Sequence, residues 1–534
     1  MLAGMQTHPR MRRLTAAVAA IEAGAYADAE AHCRALLTAG DDADAALLLG
    51  MALAGQGLPA EAAEWLDHVD RLRPGGVAVQ EAGRMLARTQ RASEASALYA
   101  ASMALRPADE ARAYACLNDL HDFGEADAAL ALLKPLLGRL PQTLPMRVLA
   151  AILMADLDRL EDAVRELEEA VAQAPDQAPI WTNLGMLYGR LGRMQDAHRA
   201  NDRAVALAPD HWQIRLNRAV GRLRDGRFAE AWDDYECRLL HPGGSKLPVA
   251  TLLPSIGDAP DALAGRTVLV WHEEGYGDTL HFFRYVPMLA ARGARVEAWL
   301  PGSMVRLLAG TPGLSGVWTD GRTLPPYDWH CPVFSLIRAF GTTLETIPAD
   351  IPYLAVDPAL VKDWAARLPP AEPDQLRVGL VWAGQARPWV PGFTLVDARR
   401  SMQLADLAPL GAVPGLQLIS LQKGPAAGQT PPAGMALHDP MPAVTDFADT
   451  AAIVANLDAV VSVDTSVAHL AGGLGKPVLL LDRIDPCWRW LRDRADSPWY
   501  PTMRIFRQQR AGDWAPVVSA AAAALAAMRN AGRG

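Results

Sequence analysis

The sequence has little cysteine, little lysine, few aromatic residues and no long apolar run, and each shortage excludes something. Its five cysteines (Cys33, Cys116, Cys237, Cys331 and Cys487) are scattered, odd in number and in no metal-ligand spacing. That argues against a disulfide framework and a cysteine zinc site, and fits a reducing cytoplasm. No apolar stretch reaches the ~18–20 residues a membrane helix needs, so no transmembrane segment is expected. Basic residues number 51 against 60 acidic ones, a net charge of −9. A nucleic-acid binder would show a basic patch or stripe instead. The lysines are Lys134, Lys246, Lys362, Lys423 and Lys476; so strong a bias to arginine, with so much alanine, is usual in GC-rich bacterial genomes. Two arginines ahead of a short apolar stretch, Met11 to Gly24, have the outline of a secretory signal. Its apolar positions continue into a helical repeat, however, so the segment is expected to belong to the folded protein. What remains is ordinary globular material, 51% hydrophobic and 21% charged, and long enough for several domains.

The first half repeats. Pro107, Pro141, Pro175 and Pro209 are spaced by 34 residues, and Pro74 precedes them by 33. An alanine stands twelve residues before each (Ala62, Ala95, Ala129, Ala163 and Ala197), and Ala231 continues the series. Gly57, Gly124, Gly192 and Gly226 lie five residues ahead of their alanines, where two helices would turn. The clearest copy, APIWTNLGMLYGRLGRMQDAHRANDRAVALAPD, carries Trp181, Leu184, Gly185, Tyr188, Ala197, Ala204 and Pro209. This period and arrangement resemble the tetratricopeptide repeat, a helix–turn–helix unit whose small residues let two helices approach while proline ends the second. Asn201 departs from the large apolar residue usual there, and Tyr235 restores an aromatic in the next copy. A stack of such units presents a concave surface that holds a peptide or protein segment.

The second half changes texture after HPGGSKLP (residues 241–248). A strand, Thr267 to Trp271, leads into HEEGYGDTL, where Gly275 and Gly277 bracket a tight turn and Asp278 or Thr279 can cap the following helix. A bare-backbone turn of this kind can cradle phosphate or a sugar ring. Asp278 is also a candidate general base, with Glu273 and Glu274 competing for the role. The third glycine and the ribose-binding acid of a dinucleotide fingerprint are missing, so NAD is rejected. A second strand–helix set begins at Val378 to Trp382, with Gly384 in the loop after it and a helix expected over SMQLADLAPL (residues 401–410), preceded by Arg399 and Arg400. A further strand ends at Gln422-Lys423. The stretch VDTSVAHLAGGLGKPVLLL (residues 463–481) then reads as strand, polar turn, small-residue helix, Gly-Pro break and strand, one βαβ unit. Asp464, Thr465 and Ser466 fall where the strand ends and the helix begins, a position suited to a phosphate. The plainer reading is that Asp464 or Ser466 only caps the helix. The aromatic stretch Arg483 to Arg507, with Trp488, Trp490, Trp499 and Tyr500, can stack a base or pack the crossover between halves.

Asp464, Thr465, Ser466 and His469, together with Gly277-Asp278 after the first strand, resemble the heptosyltransferase-like branch of the GT-B glycosyltransferases. Joined to the repeats, the chain resembles the bacterial tetratricopeptide-repeat glycosyltransferases, architectural relatives of O-GlcNAc transferases and of flagellin-modifying enzymes. The resemblance implies an α-solenoid followed by an α/β GT-B fold of two Rossmann-like domains. Repeats would occupy residues 10–242, a linker 243–262, an acceptor-side domain 263–370, and a nucleotide-sugar domain 371–534 whose final helix crosses back. It further implies transfer from a nucleotide-activated sugar without a resident cofactor or metal, onto Ser or Thr of a polypeptide brought by the repeats, flagellin-like proteins among them. Asp278 would be the base; Gly275, Gly277, Gly384, Gln422, Lys423, Asp464, Thr465, Ser466 and His469 would bind the donor. An arginine would join them, with Arg387, Arg399 and Arg400 each able to serve and Arg400 taken into the site. Two other readings stay open: a nucleotide-sugar epimerase built on the same cleft, and a non-catalytic scaffold with a degenerate transferase domain.

Overall fold

The computed structural model describes residues 9–531 apart from 74, 76, 138–143, 242–243, 258–260, 371, 373 and 386–392. Pro74 and Pro141 of the proline series, Arg387 and part of the expected linker lie outside the described residues.

Among the described residues, fourteen α-helices run from Pro9 to Tyr235, and parallel-stranded sheets follow. The 34-residue period has a direct physical basis. Every alanine of the series from Ala62 to Ala231 is buried. In the hairpin of Ala43–Gly55 and Pro59–Leu72, a Cβ on Gly50 would stand 2.6 Å from Leu66 and 3.4 Å from the Ala62 carbonyl, so a larger residue would force the helices apart. The turn five residues ahead of each alanine needs a left-handed backbone, with φ of 77° at Gly57, 84° at Gly124 and 75° at Gly192 and Gly226. Where glycine is missing the conformation persists, at Gln90 (φ 61°) and Asp158 (φ 58°).

Contacts divide the chain into two compact units, Met1–Gly192 and Arg193–Gly534. The sequence reading puts the boundary at the linker 243–262. The last repeat helices, α1 (Trp212–Arg224) and α2 (Phe228–Tyr235), instead belong with the sheets. Phe228, Trp232 and Tyr235 share one apolar core with Phe334, Trp488 and Trp499, and the Trp232 indole donates to the Thr342 carbonyl at 2.7 Å.

The first sheet is built from β1 (Thr267–Trp271), β2 (Arg295–Trp299), β3 (Leu314–Trp318) and β4 (Trp329–Pro332), in the order β3-β2-β1-β4. The second holds β5 (Leu376–Val381), β6 (Leu416–Ser420), β7 (Leu437–His438), β8 (Ala459–Val463), β9 (Val478–Asp482) and β10 (Met503–Arg507), in the order β10-β9-β8-β5-β6-β7. Every pairing between these strands is parallel. Renumbered within its own sheet, the second order is 3-2-1-4-5-6, that of doubly wound nucleotide-binding folds. β8 and β9 are buried at every residue, as strands covered on both faces must be. Val460 faces a core shared with the first sheet, whereas Val461 and Val463 face the final helix, Ala515–Ala531.

Three helices position the site: α3 (Tyr276–Phe282), α4 (Phe393–Arg400) and α5 (Ser466–Gly473). The helix expected over residues 401–410 is not there. α4 ends at Arg400, so Arg399 and Arg400 form its last turn rather than precede it. Met402 N–H then donates to the Trp382 carbonyl, and only short turns follow at Leu404–Leu407 and Ala408–Gly411. Asp406, bonded back to the Gln403 amide, and Pro409 start a new turn instead of continuing a helix. Among the described residues, no helix is long and apolar enough to cross a membrane.

Candidate ligand site at the strand ends

In open parallel sheets a ligand sits beyond the carboxyl ends of the strands, where the strand order reverses. Those points are β1/β4 in the first sheet and β5/β8 in the second. The loop after β1 carries three carboxylates, and the structure treats each differently. Glu273 is buried and held by both arms of Arg238, at 2.9 and 3.0 Å. Asp278 accepts from the Gly275 amide at 3.1 Å, closing the first turn of α3, and from Arg489 Nη2 at 2.6 Å. Glu274 makes no hydrogen bond or ion pair with a described residue, and its backbone is left-handed (φ 58°). Its side chain reaches solvent, yet protein crowds the loop enough that lost hydration, with the charges of Asp278 and Glu273, pushes its carboxyl up to about 7. A non-glycine residue in that conformation, bearing a displaced pKa, is a common mark of functional loops.

α3 and α5 meet at their amino ends. A Cβ on Gly277 would stand 2.9 Å from the His469 ring and 3.2 Å from Ser466 Cα, so glycine is what permits the approach. One turn deeper, His281 and His469 place their Nδ1 atoms 3.2 Å apart, and the Tyr500 hydroxyl lies 2.9 Å from His469 Nδ1. His469 also stacks on Trp490 at 5.2 Å. Burial, assisted by the charges of Arg284 and Arg489, holds both imidazoles well below their ordinary pKa and therefore neutral. His469, expected to bind the donor, has a buried ring whose Nδ1 is engaged, so it also fastens the two helices to each other. Trp490, Trp499 and Tyr500 are buried as well, so these rings pack the crossover rather than offer a stacking face.

The N-cap of α5 is Thr465, and no side chain caps the helix; the Thr465 hydroxyl turns to Ser462 at 3.0 Å. Neither Asp464 nor Ser466 is the cap. Asp464 makes no side-chain hydrogen bond among the described residues, and its carbonyl accepts from Arg400 Nη1 at 3.2 Å. In register beside it, Asp482 ends β9, with one oxygen 2.9 Å from Arg507 and the other without a partner. Burial, with the charge of Asp464 adding to it, pushes Asp482 up to about 7. Arg400 also grips Asp397 through Nε and Nη2, at 3.0 and 2.8 Å. A Cβ on Gly384 would strike this pair, coming within 2.6 Å of Arg400 Nε, so Gly384 makes room for it. Gln422 requires a correction too. It is buried, its oxygen accepts from the amides of Trp382 and Ala383, and its nitrogen donates to the carbonyls of Ala383 and Lys423. With both ends of the amide committed, it shapes the loop after β5 instead of contacting a ligand. Lys423 is exposed, with its ammonium 2.8 Å from the Val444 carbonyl.

The structure thus brings Gly277 against Ser466 and His469, Asp278 against Arg489, and Arg400 against the Asp464 carbonyl and Gly384. Sequence reading missed Arg489, His281 and Arg238. Arg489 lies inside the aromatic stretch, where its charge amid tryptophans was the available signal; nothing in the sequence ties it to a carboxylate 211 residues away. Among the described residues no group of three His, Cys, Asp or Glu side chains could hold a metal ion. In the helical unit, a cavity of about 460 Å³ is lined by Asp127, Leu130, Ala131, Lys134, Leu157 and Arg159.

Residues 120–187 and 178–211 match the tetratricopeptide repeat family. The chain is 26% identical over 338 residues to Protein FlbA of Caulobacter vibrioides, an alignment covering 58% of this chain and 54% of that protein. It therefore spans about half the length of the curated relative it matches. Similar solved structures include MamA from Desulfovibrio magneticus RS-1, at 17% identity over 32% of this chain and 96% of that one, with a TM-score of 0.26. Another is a tetratricopeptide repeat protein from Parabacteroides merdae, at 13% identity over 44% and 94%, with a TM-score of 0.28.

Proposed function

We propose that the chain is a nucleotide-sugar-dependent glycosyltransferase of the GT-B type, acting on a polypeptide recruited by its repeats. One observation carries this reading: the turn after β1 and the turn after β8, at the carboxyl ends of two Rossmann-ordered sheets, are packed against each other through Gly277 and Ser466. In the proposed reaction a nucleoside phosphate leaves, and its developing charge must be stabilised. The uncapped amino end of α5, the Arg400 guanidinium and the Lys423 ammonium supply that, as the resemblance implies, without calling on a metal. The hydroxyl of a serine or threonine attacks the anomeric carbon while a carboxylate takes its proton. Asp278 is the carboxylate the sequence motif points to. Glu274 is a second reading, favoured by its lack of a partner and by a pKa suited to exchanging protons near neutrality. The repeats raise the local concentration of the polypeptide. A flagellin-like acceptor is the first to try, on resemblance alone, and the reaction is assigned to the cytoplasm, where five free thiols persist.

The test is a thermal-shift panel of nucleotide sugars on the full chain, followed by mass analysis of polypeptides mixed with the stabilising donor. One donor at a hundredfold excess over its Kd should raise Tm by roughly 4 °C. A panel in which no nucleotide sugar and no nucleoside diphosphate moves the melt would end the reading.

A further inference from the structure

Three polar atoms buried at the junction of α3 and α5 fix where the ring protons there lie. His281 Nδ1, His469 Nδ1 and the Tyr500 hydroxyl form a triangle with sides of 3.2, 2.9 and 3.3 Å. Both imidazoles are neutral, so each has a proton on one nitrogen and a lone pair on the other. His281 Nε2 decides the arrangement. It is sealed from solvent beside the Phe282 and Trp499 rings, with no hydrogen-bond partner. A proton there would be a buried donor with nothing to receive it, so the His281 proton belongs on Nδ1, which has partners. Tyr353 donates its own proton to the Leu280 carbonyl and receives Arg284. The nearest acceptor left to Tyr500 is His469 Nδ1 at 2.9 Å, ahead of the Tyr353 oxygen at 3.4 Å. With Tyr500 donating to it, His469 Nδ1 must be bare, and His469 carries its proton on Nε2.

That Nε2–H makes no hydrogen bond with a described residue, although His469 is only 4% exposed. A Cβ on Gly277 would stand 2.9 Å from His469 Cδ2, the ring carbon bonded to Nε2, and 3.6 Å from the Ser466 nitrogen. The donor edge of the ring and the first amide of the uncapped helix α5 thus border one spot. A buried donor left unmade is costly, and an oxygen arriving at the end of α5 would satisfy it. We propose that His281 and Tyr500 are positioning residues that lock His469 into its Nε2–H tautomer, so that the ring offers a neutral donor to a phosphate-class oxygen. Naming that oxygen as part of an activated sugar's diphosphate rests on the transferase reading; the lock itself does not.

The test is long-range proton–nitrogen NMR on the full chain with labelled histidine, joined to calorimetric titration with inorganic pyrophosphate. In wild type, His469 should hold its proton on Nε2 and His281 on Nδ1, and pyrophosphate should shift the His469 Nε2 signal. Tyr500→Phe combined with His281→Leu should leave His469 in both tautomers, a change that a merely structural role would not produce. His469→Leu should weaken pyrophosphate at least about tenfold, and His469→Gln, whose amide can stand in for the Nε2 donor, should stay within about threefold of wild type. A proton on His469 Nδ1 in wild type, or a single Nε2–H tautomer surviving in the double variant, overturns the lock. No pyrophosphate binding to wild type, an unmoved Nε2 signal, or equal affinity in His469→Leu overturns the contact; the wild-type signal decides should that variant not fold. A shifted Nε2 signal with no stabilising nucleotide sugar would sink the transferase and leave this donor standing. A nucleotide sugar that stabilises the chain and leaves the signal unmoved would do the reverse.

Discussion

Asp278→Asn should do more than remove a candidate base, because it strands Arg489. That guanidinium is 6% exposed, lies 4.6, 5.1 and 5.5 Å from the rings of Trp488, Phe334 and Phe282, and has an unpartnered Nε. Its 2.6 Å bond to Asp278 is the ion pair that balances it. Removing one partner of a buried pair costs about 3–5 kcal/mol. The Asp278 side chain is 20% exposed, so the lower end, about 3 kcal/mol, is appropriate. A cooperative unit of about 340 residues unfolds with an entropy near 0.7 kcal/mol/K, so Tm should fall by about 4 °C. Adding Arg489→Met to Asp278→Asn removes the stranded charge and should recover at least half of that loss, giving a coupling that a double-mutant cycle measures. Scanning calorimetry on the four proteins is the assay, with transfer measured beside it. A folded, silent double variant assigns the proton transfer to Asp278, whereas restored transfer assigns it to Glu274. An Asp278→Asn protein melting within about 1 °C of wild type would refute the reasoning, since a balanced charge cannot be lost so cheaply from a buried site.

Gly277→Ala places a methyl against His469 and Ser466, which are backed by Trp490 and Tyr500; overpacking of about 1–3 kcal/mol should appear in urea melts, and an unchanged midpoint would mean that the helices do not need their close approach. His281 and His469 have folded-state pKa values well below 6.5, so their stabilisation is present above 6.5 and is lost as pH falls, about 1.3 kcal/mol each between pH 7.5 and 5.5. Glu274 and Asp482, both pushed up to about 7, act oppositely in that window, gaining stability as they take up protons. The check is therefore the difference between wild type and His281→Asn, which should lessen the acid loss by about 1 kcal/mol; parallel pH curves would contradict a buried neutral imidazole.

Much of the fold was legible because its signals are local. The βαβ unit at residues 463–481 carries strand, turn and helix within a few residues of one another, and the sheets put its polar turn where open α/β folds bind ligands. The repeat was legible through glycine, yet Gln90 and Asp158 take the same left-handed turn without it, since neighbouring helices fix the backbone whatever residue is present. Interactions between distant segments were not legible. The Gln422 amide holds the loop after β5, and the His469 Nδ1 meets Tyr500 and His281, contacts that no local pattern announces. The misplaced helix at residues 401–410 has the same origin: its apolar pattern suits short turns packed under β6 as well as it suits a helix.

The sharing of one core by Phe228, Trp232 and Tyr235 with Trp488 and Trp499 limits how the gene can be cut or lengthened. Severing it at the proline-rich joint near residue 242 would peel off aromatic cover and leave indoles facing water, an aggregation hazard. The boundary between the two compact units, Gly192 to Arg193, falls at the turn inside the repeat formed by Ala178–Arg190 and Met194–Leu207, so a cut there would split that repeat. Gain or loss of whole repeats is therefore expected ahead of residue 178, and the hairpin of α1 and α2 is a fixed adaptor that must travel with the half it serves.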